Sequence, residues 1–251
     1  MRIGILETGR PPQALDRHGS YPEMFERLLG PEFAYRAFPV VDGVFPERVD
    51  EMDGWLVTGS RFGAYDPEPW IRRLEGFLRD AVAARIPVVG ICFGHQVLAS
   101  AMGARVEKAK AGWGVGPHTY RILERPHWME GDAEAEARSD FTLNTMHQDQ
   151  VLTLPEGGRL IATSTFCPIA GLAYGDHAIS FQPHPEFDNA FERELIEVRR
   201  GTLVPEERAE PALRALKEGG GADGEAPDAD RVAGWIRRFF RAAAGAASDK
   251  S

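Results

Sequence analysis

The sequence predicts an α/β fold: a doubly wound, mostly parallel sheet flanked by helices, with an antiparallel extension and a C-terminal helical appendage. Two observations indicate this class. In the first part of the chain, apolar runs typical of strands alternate with segments of helical periodicity, an order characteristic of parallel sheets. Further along, short strand-like runs follow one another without intervening helices, which favours antiparallel pairing.

The first half of the chain supplies the alternating elements. Strands are predicted over residues 2–6, 33–40, 54–58 and 86–91. The capping-box spacing of Ser20 and Glu23 predicts a short helix over residues 23–29. A longer helix is predicted to begin at Asp66, because the apolar residues that follow share one stripe at helical spacing. These residues are Trp70, Leu74, Phe77, Leu78 and Val82.

The second half is predicted to pair antiparallel and then to end in helices. Short strands are expected over residues 105–106, 118–123, 150–154, 160–163, 169–174 and 178–181. Helices are expected over residues 206–218 and 228–244, joined by a glycine-rich flexible linker over residues 219–227. The chain is therefore divided into a domain over residues 1–201 and a helical extension over residues 202–251.

The last predicted helix is amphipathic. Its aromatic face carries Val232, Trp235, Ile236, Phe239 and Phe240, and its arginines lie mostly elsewhere. A basic amphipathic helix can bind a membrane or a partner protein. Docking of the aromatic face on the core of the chain, or on a second subunit, is the favoured interpretation.

The most informative motif is residues 90–96 (GICFGHQ), in which Cys92 has a glycine two positions away on each side. The preceding apolar run predicts a buried strand, and a helix is predicted over residues 96–102. Such a strand-to-helix corner needs small neighbours and projects its central side chain above the sheet. The amino end of the helix favours thiolate over thiol, so Cys92 is a candidate nucleophile, although a core cysteine is the alternative.

A second motif supplies a base for this nucleophile. His184 and Glu186 lie two residues apart on a stretch that flanking prolines hold extended, so both side chains point to one face. Glu186 could orient the His184 imidazole, which could take the proton of the Cys92 thiol. Alone, the same tripeptide is also compatible with a surface turn.

Together, the two motifs resemble the class I glutamine amidotransferases, in which a cysteine corner precedes a His-x-Glu segment near the end of a flavodoxin-like core. The resemblance covers residues 1–201, and residues 56–60 (LVTGS) fall where this family has its oxyanion-loop strand. The small stand-alone members are most similar, because they carry stretches like residues 58–66 (TGSRFGAYD) and 112–116 (GWGVG).

The resemblance implies a role for each site residue. In the implied triad, Cys92 attacks a carboxamide carbon, His184 transfers protons and Glu186 holds His184. The resulting oxyanion is expected to be stabilised by the backbone N–H groups of Gly59 and Phe93.

Substrate contacts are expected from Ser60, Gln96, Met146, His147 and Gln148. Many members of the family have Ser-His-Gly-Asp in the last of these segments, so Met146 stands in place of serine and Gln148 in place of glycine. Because glycine permits close backbone approach, Gln148 is expected to alter or narrow the pocket. For His147 and Asp149, hydrogen bonding within the loop is favoured over direct catalysis.

Composition and charge exclude several other classes. A net charge of −9 argues against a nucleic-acid partner, whose phosphates require a basic surface. The cysteines and histidines lack the spacing of a zinc site, so neither a metal nor a cofactor is predicted. We expect a cytoplasmic protein, because no run suits a membrane span or a signal peptide and two cysteines make no disulfide framework.

Three functions remain open. The first is a glutamine amidotransferase-like hydrolase that cleaves the γ-carboxamide of glutamine or a γ-glutamyl amide through a thioester on Cys92, releasing ammonia or an amine, and that as a subunit would make ammonia for a partner synthase. The second is a stand-alone γ-glutamyl peptidase acting on small molecules. The third, a catalytically idle binding module, is least favoured because both motifs are intact. A synthase subunit that accepts ammonia and a second copy of the chain, forming a homodimer, are the candidate protein partners.

Overall fold

The computed structural model describes residues 1–130, 137–218 and 228–248. The strands are β1 (Arg2–Leu6), β2 (Ala34–Phe38), β3 (Gly54–Val57), β4 (Val88–Ile91), β5 (Val106–Lys108), β6 (Gly114–Ile122), β7 (Asp140–His147), β8 (Asp149–Val151), β9 (Gly158–Thr163), β10 (Gly171–Tyr174) and β11 (Ala178–Phe181). The helices are α1 (Tyr21–Leu29), α2 (Pro69–Ala83), α3 (Phe93–Ala101), α4 (Asn189–Arg199), α5 (Glu206–Glu218) and α6 (Ala229–Ser248).

One large sheet has the strand order β2-β1-β3-β4-β11-β10-β9-β6-β7. The strands from β2 to β11 in this order pair in parallel. From β11 to β7 each neighbour is antiparallel. A smaller sheet consists of β5 and β8, which pair antiparallel. The predicted α/β class, with a parallel sheet and an antiparallel extension, is therefore confirmed.

The parallel strands are buried on both faces, because their side chains alternate between two hydrophobic clusters. Leu56 and Val89 belong to the cluster that contains residues of α1 and α6. Trp55 and Val57 belong to the cluster that contains residues of α2 and α3. Because β3, β4 and β11 are parallel neighbours, their carboxyl ends meet at one edge of the sheet. Open α/β sheets bind ligands at this edge.

The aromatic face of α6 packs on the core of its own chain, which confirms the favoured interpretation of this helix. Trp235 and Phe239 are each 1% exposed and lie in the cluster shared with β1 and α1. On the same helix, Arg237 donates to the carbonyl of Leu28 in α1 at 3.1 Å. This face is therefore unavailable to a membrane or to a second copy of the chain.

The sequence does not predict β7 or α4, and both border the site described below. β7 intersperses threonine, asparagine and histidine among its apolar residues. α4 begins after Asp188, whose carboxylate accepts a hydrogen bond from the N–H of Phe191 at 2.6 Å. In addition, α3 begins at Phe93 rather than at residue 96, because Cys92 itself occupies the N-cap position.

The predicted linker over residues 219–227 lies outside the described residues. The division of the chain at residue 201 stays a prediction. None of the helices within the described ranges has the length and apolar character needed to cross a membrane.

Candidate active site

The corner between β4 and α3 places Cys92 above the carboxyl edge of the sheet. Cys92 has φ 54° and ψ −103°, a conformation that is strained for a residue with a side chain. A Cβ on Gly90 would lie 2.5 Å from the carbonyl oxygen of Gly94, and a Cβ on Gly94 would lie 2.4 Å from that of Val57. The two glycines are therefore required because strand and helix backbones approach closely on either side of the nucleophile.

The His184 ring is fixed from three directions. Its Nδ1 lies 2.7 Å from Oε1 of Glu186, and its backbone N–H donates to the carbonyl of Asn144 in β7 at 2.9 Å. The Phe187 ring stacks on the imidazole, with centroids 3.8 Å apart and planes 4° from parallel. Because His184 is only 3% exposed, these contacts leave the imidazole little freedom.

The two motifs meet, although 91 residues separate Cys92 from His184 along the chain. The Cys92 side chain forms a hydrogen bond with His184. Both line a small crevice together with Gly59. A Cβ on Gly59 would lie 2.9 Å from Cε1 of His184 and 3.8 Å from Cβ of Cys92. The structure thus brings the predicted nucleophile, base and orienting carboxylate together.

The electrostatics of this trio favour a protonated His184. Burial by itself lowers the pKa of His184, since it disfavours the charged form. Negative charge on Glu186 and Cys92, and hydrogen bonds from His184 to both, outweigh burial and raise the pKa to about 10. At neutral pH His184 is therefore an imidazolium, whose positive charge lies beside the Cys92 sulfur, the nucleophilic atom of a catalytic cysteine.

The loop after β3 presents Gly59 to the site, and a buried clamp from the end of β1 fixes it. The Thr8 hydroxyl lies 2.9 and 3.0 Å from the carbonyl oxygens of Thr58 and Gly59, which share its one hydrogen. The Thr8 N–H donates to the Thr58 hydroxyl at 3.0 Å. These contacts hold the Gly59 carbonyl toward Thr8 and so fix the orientation of the loop after β3. The other predicted oxyanion donor, the N–H of Phe93, lies in the first turn of α3, where N–H groups have no partner within the helix.

A cleft of about 470 Å³ opens beside Cys92. It is lined by all five residues from which substrate contacts are predicted, namely Ser60, Gln96, Met146, His147 and Gln148. Two of these also hold the walls together. The Ser60 hydroxyl donates to the carbonyl of Thr8 at 2.6 Å, and the Gln96 amide donates to the carbonyl of Asp149 at 2.8 Å.

His147 lines the cleft and carries a buried ring nitrogen without a partner among the described residues. Its Nδ1 lies 3.0 Å from the carbonyl of Asp149, so this nitrogen carries the hydrogen. Burial lowers the pKa of His147 to about 3, so the ring is neutral. Nε2 is then an acceptor, and it is buried without a partner among the described residues. This arrangement agrees with the hydrogen bonding predicted within the loop.

Several neighbours of the site carry no sequence motif. Burial raises the pKa of Glu192 to about 7, and its Oε1 accepts from the N–H of Gly116 at 2.9 Å. Arg199 lines both the cleft and the crevice that holds Cys92 and His184. Glu192 and Arg199 lie on α4, and helical periodicity after residue 188 could have indicated this helix but not its packing beside Cys92. Within the described residues, no group of three or more His, Cys, Asp or Glu side chains could hold a metal ion.

Comparison with known proteins gives one consistent family. The model of the glutamine amidotransferase class-I family matches residues 46–197. γ-Glutamyl peptidase 4 of Arabidopsis thaliana is 31% identical over 218 residues, covering 85% of this chain and 87% of the relative. A glutamine-hydrolysing GMP synthase subunit of Halobacterium salinarum is 25% identical, and the match covers 72% of this chain and 92% of the relative. The crystal structure of a Thermotoga maritima glutamine amidotransferase has the same fold, with a TM-score of 0.70 and 20% identity. The match covers 96% of this chain and 98% of that structure.

Proposed function

We propose that this chain, a cysteine-dependent amidohydrolase that belongs to the class I glutamine amidotransferase family, cleaves the γ-carboxamide of glutamine or a γ-glutamyl amide and releases ammonia or an amine. The observation that carries the proposal is the meeting of Cys92, His184 and Glu186 at one end of an open cleft. A nucleophile, a proton carrier and an orienting carboxylate are the groups that acyl transfer through a covalent intermediate needs.

In the first half-reaction the Cys92 thiolate attacks the carbonyl carbon of the amide. The carbonyl oxygen becomes an oxyanion, which the N–H groups of Gly59 and Phe93 stabilise; one such donor is typically worth about a hundredfold or more in rate. The His184 imidazolium then donates its proton to the departing nitrogen as the C–N bond breaks. The products of this half-reaction are a γ-glutamyl thioester on Cys92, a free amine and neutral His184.

In the second half-reaction neutral His184 takes a proton from water, and the resulting hydroxide attacks the thioester carbon. The same N–H groups stabilise the second oxyanion. Its collapse breaks the C–S bond, releases the γ-carboxylic acid, which gives its proton to solvent, and restores the thiolate beside the imidazolium. Glu186 holds the ring in one orientation throughout, because its hydrogen bond to Nδ1 leaves Nε2 to face the reaction.

The cleft walls would hold the remainder of the γ-glutamyl group. His147 is neutral and lines this cleft, so it presents no charge to the γ-glutamyl group. Ser60, Gln96, Met146 and Gln148 shape the same cleft, and the Gln148 side chain occupies the place that many relatives leave to glycine.

A second candidate is an ammonia-supplying component of a larger synthase. The likeness to the Halobacterium GMP synthase subunit, which covers 92% of that protein, favours it. On this alternative, glutamine hydrolysis by the isolated chain would be weak and would rise when the synthase is added. A homodimer and a cytoplasmic location stay predictions.

A substrate panel tests the proposal. The purified full chain is incubated with glutamine, γ-glutamyl amino acids and γ-glutamyl alkylamides, and with α-glutamyl amides of the same amines as matched controls. We expect turnover of at least one γ-glutamyl compound and none of its α-glutamyl counterpart, because only the γ-linkage places the carbonyl carbon at Cys92. Failure to turn over any γ-glutamyl compound would contradict the proposal and favour the idle module or an obligate partner.

A further inference from the structure

Two arginines connect the catalytic cleft to a second cavity. Arg61 lies on the loop after β3, and Arg199 is the last residue of α4. Both line the cleft that contains Cys92, and Arg199 also lines the crevice shared by Cys92 and His184. Residues that share a cavity lining with the nucleophile can contact a group attached to the reacting carbonyl.

The second cavity, which we call the outer groove, has a volume of about 680 Å³. It shares Arg61, Phe62, Arg199, Thr202 and Leu203 with the catalytic cleft and extends to the proline-containing loop after β1. The two cavities therefore form one continuous depression, with the arginines at the junction. Its combined volume reaches the upper range for small-molecule sites and exceeds the needs of free glutamine.

The charges at the junction have no carboxylate partner. Among the residues that the structure describes, neither Arg61 nor Arg199 forms an ion pair. Arg61 lies against the Phe62 ring, at 5.2 Å from its centroid. Glu192 responds to the charge of Arg199 but is buried, does not line the cleft and bonds to Gly116. In a chain of net charge −9, two unpaired guanidinium groups beside a nucleophile point to an anionic ligand.

The acidic residues of the cleft lie elsewhere in its lining. Asp66 and Asp149 line the catalytic cleft but not the outer groove, and the Asp149 carboxylate hydrogen-bonds to the Tyr65 hydroxyl. Asp42, which lines the outer groove, is paired with Arg10, and the cleft also carries Lys108. Within the described part of the chain, the cations without an ion pair at the junction are therefore Arg61 and Arg199. A ligand with a positive group in the cleft and a negative group at the junction would complement both parts.

We infer that Arg61 and Arg199 bind a carboxylate on the leaving group, so that the preferred substrates are γ-glutamyl amino acids and short γ-glutamyl peptides. This inference rests on the proposed function. The carboxylate of the departing amino acid lies one carbon from the scissile nitrogen, and a guanidinium at the junction can hold it while His184 donates its proton to that nitrogen. Guanidinium groups suit this task because their paired N–H donors match a carboxylate. The outer groove then accommodates the side chain or the rest of the peptide.

Three substrates with the same γ-glutamyl group test the inference, because they form the same thioester and differ in the departing amine, and the arginine variants separate the effect of its charge from that of its basicity. They are a γ-glutamyl amino acid, a γ-glutamyl alkylamide and a γ-glutamyl diamine, with anionic, neutral and cationic leaving groups. We expect kcat/KM to fall in that order, by about tenfold from the anionic to the neutral substrate. Arg199→Gln and Arg61→Gln are each expected to reduce the ratio of kcat/KM for the anionic substrate to kcat/KM for the neutral one severalfold. The double variant is expected to bring this ratio near unity.

Arg214→Gln is the matched control, since it removes the same charge from an exposed arginine of α5 that pairs with Glu210 and does not line either cavity. Its ratio is expected to equal that of the unmodified protein. If Arg199→Gln lowers kcat/KM equally for all three substrates, Arg199 binds the γ-glutamyl group and the inference is wrong. Equal kcat/KM for the three substrates in the unmodified protein would also overturn it. Either result leaves the proposed function intact, which fails only if none of the three is hydrolysed.

Discussion

Replacement of Cys92 by alanine is expected to reduce hydrolysis of γ-glutamyl amides on the order of 10⁴-fold or more, to the limit of detection. The reason is that no other group in the described site can form the thioester. The protein should remain folded, because alanine has a Cβ as cysteine does, so the backbone strain at position 92 is unchanged. Steady-state turnover and circular dichroism of the same preparation measure the two effects separately.

Cys167 provides a matched control for this substitution. It is fully buried, burial raises the pKa of its thiol to about 12, and it lines neither the cleft nor the crevice. Cys167→Ala is therefore expected to keep turnover within about twofold and to cost about 1 kcal/mol of stability, the usual result of a small buried truncation. Hydrolysis that survives Cys92→Ala but not Cys167→Ala would contradict the assignment of the nucleophile.

Replacement of Glu186 by glutamine is expected to lower kcat/KM by about 10²–10⁴-fold and to change its pH dependence. Burial lowers the pKa of His184, while the Glu186 charge is the foremost of the interactions that raise it to about 10. Glutamine keeps the size of the side chain but removes that charge, so the pKa of His184 should fall. The imidazole then loses its proton at lower pH and can no longer protonate the departing amine.

The pH profile of kcat/KM distinguishes this effect from a loss of structure. In the unmodified protein the alkaline limb should fall near pH 10, and in Glu186→Gln it should move to lower pH. The raised pKa of His184 also contributes stability that is fully present below about pH 6.5 and is lost as the pH rises to about 10. His177→Asn, at the opposite end of β11 from His184, is the matched control. An alkaline limb that stays in place in Glu186→Gln would show that Glu186 does not act through His184.

The nucleophile and the base could be predicted from the sequence because their geometry is determined locally. Glycines on either side of Cys92 are needed because a Cβ at these positions would lie only 2.4 and 2.5 Å from a backbone carbonyl oxygen, and their spacing around the cysteine is visible in the sequence. Prolines on either side of His184 fix an extended conformation that places its side chain beside Glu186. The order of strands and helices then brings both motifs to the carboxyl edge of one sheet.

The rest of the site depends on tertiary pairing and could not be predicted in this way. β7 positions His184 through the Asn144 carbonyl, yet polar residues interrupt its apolar pattern and only its pairing with β6 makes it a strand. The Thr8 clamp joins loops 50 residues apart. The position of Arg199 beside Cys92 follows from the packing of α4, which no spacing in the sequence reports.

The central claim, that the Cys92 sulfur attacks a γ-glutamyl carbonyl with His184 as proton carrier, is tested most directly by trapping the thioester. The protein is mixed with a γ-glutamyl amide that it turns over, quenched in acid during the steady state, digested and analysed by mass spectrometry. We expect one γ-glutamyl group on the peptide that contains Cys92, removable by hydroxylamine and absent from Cys92→Ala. Turnover without any acyl group on Cys92, or with the group on another residue, would contradict this account of the site.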